Sequence, residues 1–378
     1  ELVAVCAADA ALAVLNQAGV QPRIVNDIEE LLADPAVEVV IVASSLDERP
    51  AELRRALQSE RHVLCVHPAD ATPDTAYEAG MIQGDTGHIL LPLLSGPSHP
   101  ATRRLASWLR EPGCPLGALR LLEIEWRIQG PLLAGLGPKQ NLVALPGWDL
   151  LRTLVGEVAE ISAFAGEEEI APHEPVPLSG RSESGVLFRI LFTPHEARAH
   201  IDLRCLGSDG RASLTFPDGW PAPATLRWSD AQGQAHEETW ANVQPWDGVI
   251  AELEKRAGEP LKPHVAGSPP PAEERSRLLS WQTETRCLEL DDATRRSVER
   301  RRAILLEYPE ASEEVGFKGT MTLVGCVVLW GILGVFMISL WLPWLQWTIV
   351  PILLIFMGMQ SFRWLARREP PPNQQVPS

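Results

Sequence analysis

His67 closes the apolar run His62-Val63-Leu64-Cys65-Val66 and stands directly before Pro68. An imidazole has a reference pKa of about 6.5, so it can take or give a proton near neutral pH. Asp149 lies in the first turn of a helical pattern, Trp148 to Leu154, where a carboxylate can orient a neighbour or cap the helix. His88, His99, His173 and His195 fall at no comparable place and read as surface or loop residues. Cys6, Cys65, Cys114, Cys205, Cys287 and Cys326 are scattered, with no C-x-x-C pair and no zinc spacing. They read as small buried apolar side chains. The chain therefore offers proton chemistry and no metal centre. A net charge of −16 argues against nucleic acid as a partner, because no long basic stripe is available for phosphates.

The elements that position these residues fall into two rhythms. Leu2–Cys6, Val37–Ala43, His62–Val66 and His88–Leu93 are apolar strand runs, separated by helical stretches at Ala10–Ala18, Ile28–Ala33 and Ala51–Ser59. Apolar strands alternating with helices imply a parallel sheet covered on both faces, an open α/β sheet. From about residue 117 the pattern becomes antiparallel: Leu119–Arg127, Gly185–Phe192, Ala197–Leu206 and Ala212–Phe216 read as strands. Gly207-Ser208-Asp209-Gly210 is a hairpin turn, since Gly and Asp supply the positive φ such turns need. Residues 260–271 are a Pro-rich linker, and a long helix is predicted over 272–306.

Read in order, these pieces resemble the Gfo/Idh/MocA oxidoreductases. The carriers are Glu1–Cys6, Asp27–Ala43, Arg61–Pro68, Trp148-Asp149-Leu150-Leu151-Arg152 with Val155-Gly156-Glu157, Gly207–Leu214 and Arg295–Arg300. The resemblance covers about residues 1–305. It implies a Rossmann domain binding NAD or NADP over 1–95, then an α+β domain over 96–259. The second domain's open, mainly antiparallel sheet forms the substrate site and an oligomer interface. It further implies that the 272–306 helix packs back on the Rossmann domain, and that cofactor contacts fall at Ala7, Asp9, Ser44, Ser45, His67 and Pro68.

The departures are as informative. The first strand and its glycine-rich turn, where amides meet the pyrophosphate, are missing from a sequence that begins abruptly at Glu1 and reads as truncated. The ribose-binding acid of the family falls at Ala7, with Asp9 two residues on. The lysine of the family's Glu-Lys-Pro is His67, and the histidine of its His-x-x-Asp is Pro146, which cannot move a proton; Asp149 remains. Losing three groups together points to a fold kept without the usual dehydrogenase chemistry.

One feature lies outside the family pattern. No charged residue occurs in the 44 residues between Lys318 and Arg363. A membrane helix needs about 20 apolar residues, so the stretch is long enough for two. Pro343 among Trp341, Trp344 and Trp347 marks a turn at the membrane interface, giving a transmembrane hairpin within 318–366, about 320–341 and 346–366. Arg300–Arg302 and Lys318 before it, and Arg363, Arg367 and Arg368 after it, place both flanks in the cytoplasm. The tail 367–378 reads as disordered.

Three functions compete at this point. The first is a membrane-anchored, catalytically degenerate relative that binds a nicotinamide cofactor or a sugar-like ligand, or serves as a scaffold. The second is an active NAD(P)-dependent dehydrogenase of a polyol, sugar or sugar nucleotide, with His67 as acid/base and Asp149 orienting it or the substrate. The third is an interaction platform that self-associates through its open sheet.

Overall fold

The computed structural model describes residues 2–6, 9–94, 96–111, 113–129, 147–166, 174–195, 199–220, 223–229, 232–244, 246–258 and 279–306. The expected membrane hairpin, the linker 260–271 and the tail 367–378 lie outside them. Among the described residues, no helix is long and apolar enough to cross a membrane.

The N-terminal part alternates β1 (Ala4–Val5), α1 (Asp9–Gln17), β2 (Arg23–Ile24), α2 (Ile28–Leu32), β3 (Val39–Val42), α3 (Arg49–Gln58), β4 (His62–Val66), α4 (Asp74–Thr86) and β5 (Leu90–Leu93). All its strand pairs are parallel. Local chemistry sets the helix limits. The Asp27 carboxylate accepts from Glu29 N at 3.2 Å to start α2, Pro50 sits in the first turn of α3, and Gly87 at φ 71° closes α4. Val63 and Cys65 of β4 face one core with Leu53 and Leu57 of α3. Leu64 faces another with Leu91 and Val249. The sheet is thus covered on both sides, as parallel strands require. The strands fall into two sheets, β1–β2 and β3–β4–β5, rather than the single open sheet expected. Strand β2 escaped the sequence reading because two exposed residues leave no apolar run.

After α5 (Pro100–Arg110) comes the third and largest sheet: β6 (Leu119–Gln129), β7 (Val158–Ala163), β8 (Val176–Ser182), β9 (Leu187–His195), β10 (His200–Gly207), β11 (Arg211–Phe216), β12 (Ala224–Ser229), β13 (Ala235–Trp240) and β14 (Ile304–Leu305). Helix α6 (Trp148–Val155) precedes β7, and α7 (Asp247–Ala257) and α8 (Trp281–Arg300) precede β14. The nine strands lie in the order β13-β12-β11-β10-β6-β9-β8-β7-β14. Only β6 with β9 is parallel. Alternation sends Leu122, Ile124, Phe188, Ile190, Ile201 and Leu203 into the core. The other face carries exposed pairs such as Arg204–Asp202 at 2.7 Å and Arg127–Glu125 at 2.9 Å.

The last helix corrects the expectation of one helix over 272–306. Helix α8 starts at Trp281 after Ser280, and Arg301 ends it in the left-handed conformation at φ 48°. Ile304–Leu305 then pairs antiparallel with Ile161 and Glu160 of β7. A two-residue strand is too short for periodicity to reveal. Trp281 and Leu288 join the core under the parallel sheet, while Cys287, Leu290, Ala293 and Val298 join the core of the nine-stranded sheet. Helix α8 therefore ties the two layers together.

Candidate active site at the strand ends

The turn after β4 carries the principal group. His67 Nδ1 lies 2.8 Å from Glu284 Oε2, and the amide of Ala69 donates to Glu284 Oε1 at 2.8 Å. Glu284 projects from α8 and is 1% exposed. Burial by itself lowers the proton affinity of the imidazole. The charge and hydrogen bond of Glu284, with the charges of Asp291 and Asp149, outweigh it and push the His67 pKa up to about 9. At neutral pH the ring is an imidazolium. The His67–Pro68 peptide bond is cis.

Asp149 sits in the first turn of α6 but is not its cap. Gly147, at φ 97°, holds the N-cap position, and a Cβ there would come within 2.4 Å of the Trp126 ring, so only glycine fits. Asp149 Oδ2 accepts from Gly96 N at 2.8 Å, and Oδ1 accepts from Leu150 N at 2.8 Å. Burial raises its pKa, against the opposing pull of His67 and these two amides. Beside it the Trp148 indole donates to Asp291 Oδ1 at 2.5 Å. His67, Asp149, Glu284 and Asp291 thus form one electrostatic cluster, in which only Glu284 hydrogen-bonds His67.

Ser44 and Ser45 follow β3, the parallel neighbour of β4. Ser45 Oγ donates to Glu48 at 2.9 Å, and the Ser44 hydroxyl is buried without a partner. Buried Arg49 clamps the two turns. It donates to the Ser44 carbonyl through Nε at 3.1 Å and Nη2 at 2.7 Å, and to the carbonyls of Val66 and Pro68. Ser44, Ser45, His67 and Pro68 therefore share the carboxyl end of the sheet, where open α/β sheets bind ligands. Ala7 and Pro146 lie outside the described residues; Asp9 is the first residue of α1.

Sequence reasoning missed Glu284, Asp291, Arg49 and Gly96. A signal for the acids was present. Trp281, Glu284, Leu288 and Asp291 recur at three- and four-residue steps, so two carboxylates stand in an apolar stripe. His99, read as a surface residue, is fully buried and caps α5 by accepting from Ala101 N at 3.1 Å.

Residues 1–91 match the family model for Gfo/Idh/MocA, described as "Oxidoreductase family, NAD-binding Rossmann fold". The match ends before the nine-stranded sheet begins. Among solved structures, the chain is similar to a putative myo-inositol dehydrogenase from Sinorhizobium meliloti 1021, at 17% identity and TM-score 0.60, over 81% of this chain and 92% of that one. A levoglucosan dehydrogenase in complex with NADH and levoglucosan matches at 15% identity and TM-score 0.62, over 81% and 89% of the two chains. An aldose-aldose oxidoreductase from Caulobacter crescentus matches at 14% identity and TM-score 0.62, over 80% and 90%. At these identities the similarity establishes the fold. No curated protein sequence matches. The cofactor class of the Gfo/Idh/MocA Rossmann domain is NAD. The described residues fit such a group on the side of β3 and β4, where the Ser44 hydroxyl is buried with no protein partner and Arg49 fixes the backbone of both turns at the strand ends.

Proposed function

We propose that this chain is an NAD(P)-dependent oxidoreductase of the Gfo/Idh/MocA type, acting on a sugar or polyol, with His67 as its acid/base group. The observation behind this reading is the His67–Glu284 pair at the carboxyl end of the sheet. In the family resemblance this position belongs to a lysine, and His67 also brings a positive charge at neutral pH. With Nδ1 committed to Glu284, Nε2 is the nitrogen left to give a proton to a substrate carbonyl oxygen as it becomes a hydroxyl. NAD or NADP, when bound, supplies the hydride chemistry. Ser44, Ser45 and Pro68 would hold its nicotinamide end, and Asp149 adds negative charge that strengthens the proton's hold on His67.

A degenerate, ligand-binding or scaffold role is the second reading. It is favoured by Pro146 at the family's proton-acceptor position and by Ala7 at the ribose acid. The deciding experiment titrates the full-length protein in detergent with NADH and NADPH, then screens sugar carbonyl compounds for nucleotide oxidation. Saturable binding with turnover that is abolished in His67→Ala supports the enzyme. Binding without turnover across the panel leaves the degenerate, ligand-binding reading, and a folded sample that binds neither nucleotide removes the enzyme and leaves only the scaffold role.

The stretch 318–366 is part of the same proposal, as a membrane hairpin with the catalytic body on the cytoplasmic side. Its support is the uncharged run between Lys318 and Arg363 and the basic flanks. The chain should sediment with membranes and resist alkaline carbonate extraction, and deleting 318–366 should release it.

A further inference from the structure

We propose that Glu284 is the positioning residue of this site, gripping the imidazole of His67 with one carboxylate oxygen and the backbone of the same turn with the other. This rests on the reading of His67 as the acid/base group and extends it to a helix with no counterpart in the motif that suggested His67.

The geometry is specific. A carboxylate accepting a bond from a ring N–H and a second from an amide two residues on has both oxygens committed in different directions. Rotation of either partner breaks one bond. The backbone that carries Glu284 is anchored one turn earlier in α8. There the Trp281 indole donates to the Ala76 carbonyl at 2.7 Å, and its ring lies 3.4 Å from where a Cβ on Gly80 would stand. From the other side, Arg49 of α3 bonds the carbonyls of Val66 and Pro68 and holds the same turn by its backbone. A buried carboxylate costs several kcal/mol of desolvation unless paired and hydrogen-bonded, and here both its partners belong to the His67–Ala69 turn. The consequence is chemical. Nδ1 keeps its hydrogen toward Glu284, so proton exchange with a substrate passes through Nε2 alone.

The charged groups around His67 have consistent roles. Glu284 and Asp291 of α8 and Asp149 of α6 all favour the imidazolium. The cations nearest the turn, Arg49 and Arg295, bond backbone carbonyls, Arg295 at the Ala71 carbonyl. Glu284 is the one acid that also forms a hydrogen bond to the ring, so it governs orientation as well as charge.

The test uses the full chain with nitrogen-15-labelled histidine, read by NMR across pH, beside steady-state kinetics. In Glu284→Gln the amide keeps the shape. Its oxygen still accepts from Ala69, and its NH2 can donate to Nδ1 only when the ring is neutral. The expected result is a fall of about one to two pH units in the His67 titration midpoint, with kcat reduced more than KM. Glu284→Asp, which keeps the charge at a shorter reach, should restore the midpoint in part. An unchanged midpoint in a folded Glu284→Gln protein overturns the proposal. Should Glu284→Gln fail to fold, the wild-type spectrum decides. A doubly protonated His67 ring at pH 7.5 supports the proposal, and a neutral ring there overturns it. The NMR reading needs no substrate, so it stands even where the chain turns nothing over. Lack of turnover with a normal His67 shift defeats the proposed activity and leaves Glu284's hold on the ring intact.

Discussion

The Gly96 amide donates to Asp149 Oδ2 at 2.8 Å, and a Cβ on residue 96 would lie 2.6 Å from that same oxygen. Glycine is required here for approach, with no demand from its φ angle. The carboxylate has packed against bare backbone, and Leu150 N lies only 3.0 Å from the same Cβ position. Gly96→Ala should therefore push Asp149 away and lose a hydrogen bond to a buried acid. Such bonds contribute about 1.5–3 kcal/mol. Urea denaturation should show a loss of that order, with turnover falling in the folded fraction.

Two histidines should shape stability against pH in opposite directions. The His67 pKa is raised to about 9, so its contribution is complete below about 6.5 and declines as pH rises toward 9. Burial lowers the His99 pKa to about 4, so the unfolded chain takes up a proton more readily than the native one. Stability from His99 is complete above about 6.5 and declines as pH falls toward 4. Thermal melts across pH should show a maximum near neutrality. His99→Phe should flatten the acid limb and spare the alkaline one, and His67→Gln should do the reverse.

The legible part of this molecule was the part with strong local signals. The run His62–Val66 is bounded in the structure as its residues indicate, because five apolar or β-prone residues end at a histidine and a proline. Gly207-Ser208-Asp209-Gly210 joins β10 to β11, which pair antiparallel from Leu206 with Arg211, but neither Asp209 nor its two glycines take the positive φ expected of them. Glycine serves close approach instead, since a Cβ on Gly207 would lie 1.9 Å from the Leu116 carbonyl oxygen. The seat of His67 at a parallel strand's carboxyl end was also readable. Its partner was not. Glu284 is 217 residues away in sequence, and no periodicity within one element reports which residue of another element will meet it. Strands β12 and β13 escaped for a different reason. Arg227 and Glu237 pair across them on the outward face, Glu238 on the other face pairs with Arg104 of α5, and that polarity masks the apolar alternation. His99 was misread because a lone polar residue before a helix gives no local sign that tertiary packing will bury it against Phe216 and Trp220.

Arg49 supplies a third prediction. Its planar fork reaches the carbonyls of Ser44, Val66 and Pro68 at once. A lysine has a point charge and cannot span three acceptors in those directions. Arg49→Lys should keep the charge while loosening the turns after β3 and β4. Nicotinamide nucleotide binding, read by fluorescence, should weaken on the order of tenfold, equal to about 1.4 kcal/mol. Global stability should change less than in Arg49→Ala, which leaves the carbonyls without any donor.

The pH dependence of turnover tests the chemistry most directly. As an imidazolium up to about pH 9, His67 is ready to give a proton throughout the neutral range and unready to accept one. Carbonyl reduction should be flat around neutrality and fall as pH rises through about 9. Alcohol oxidation, which needs the neutral ring, should climb over the same interval. Asp149 contributes to the proton's hold on His67 without touching the ring. Asp149→Asn should therefore shift both limbs to lower pH together, while a residue that only shaped the pocket would change the rates and leave the limbs in place. Initial rates in both directions from pH 6 to about 10, bracketing that pKa, settle the matter. Identical profiles for wild type and Asp149→Asn would separate Asp149 from the acid/base group and return it to a purely structural part at the start of α6.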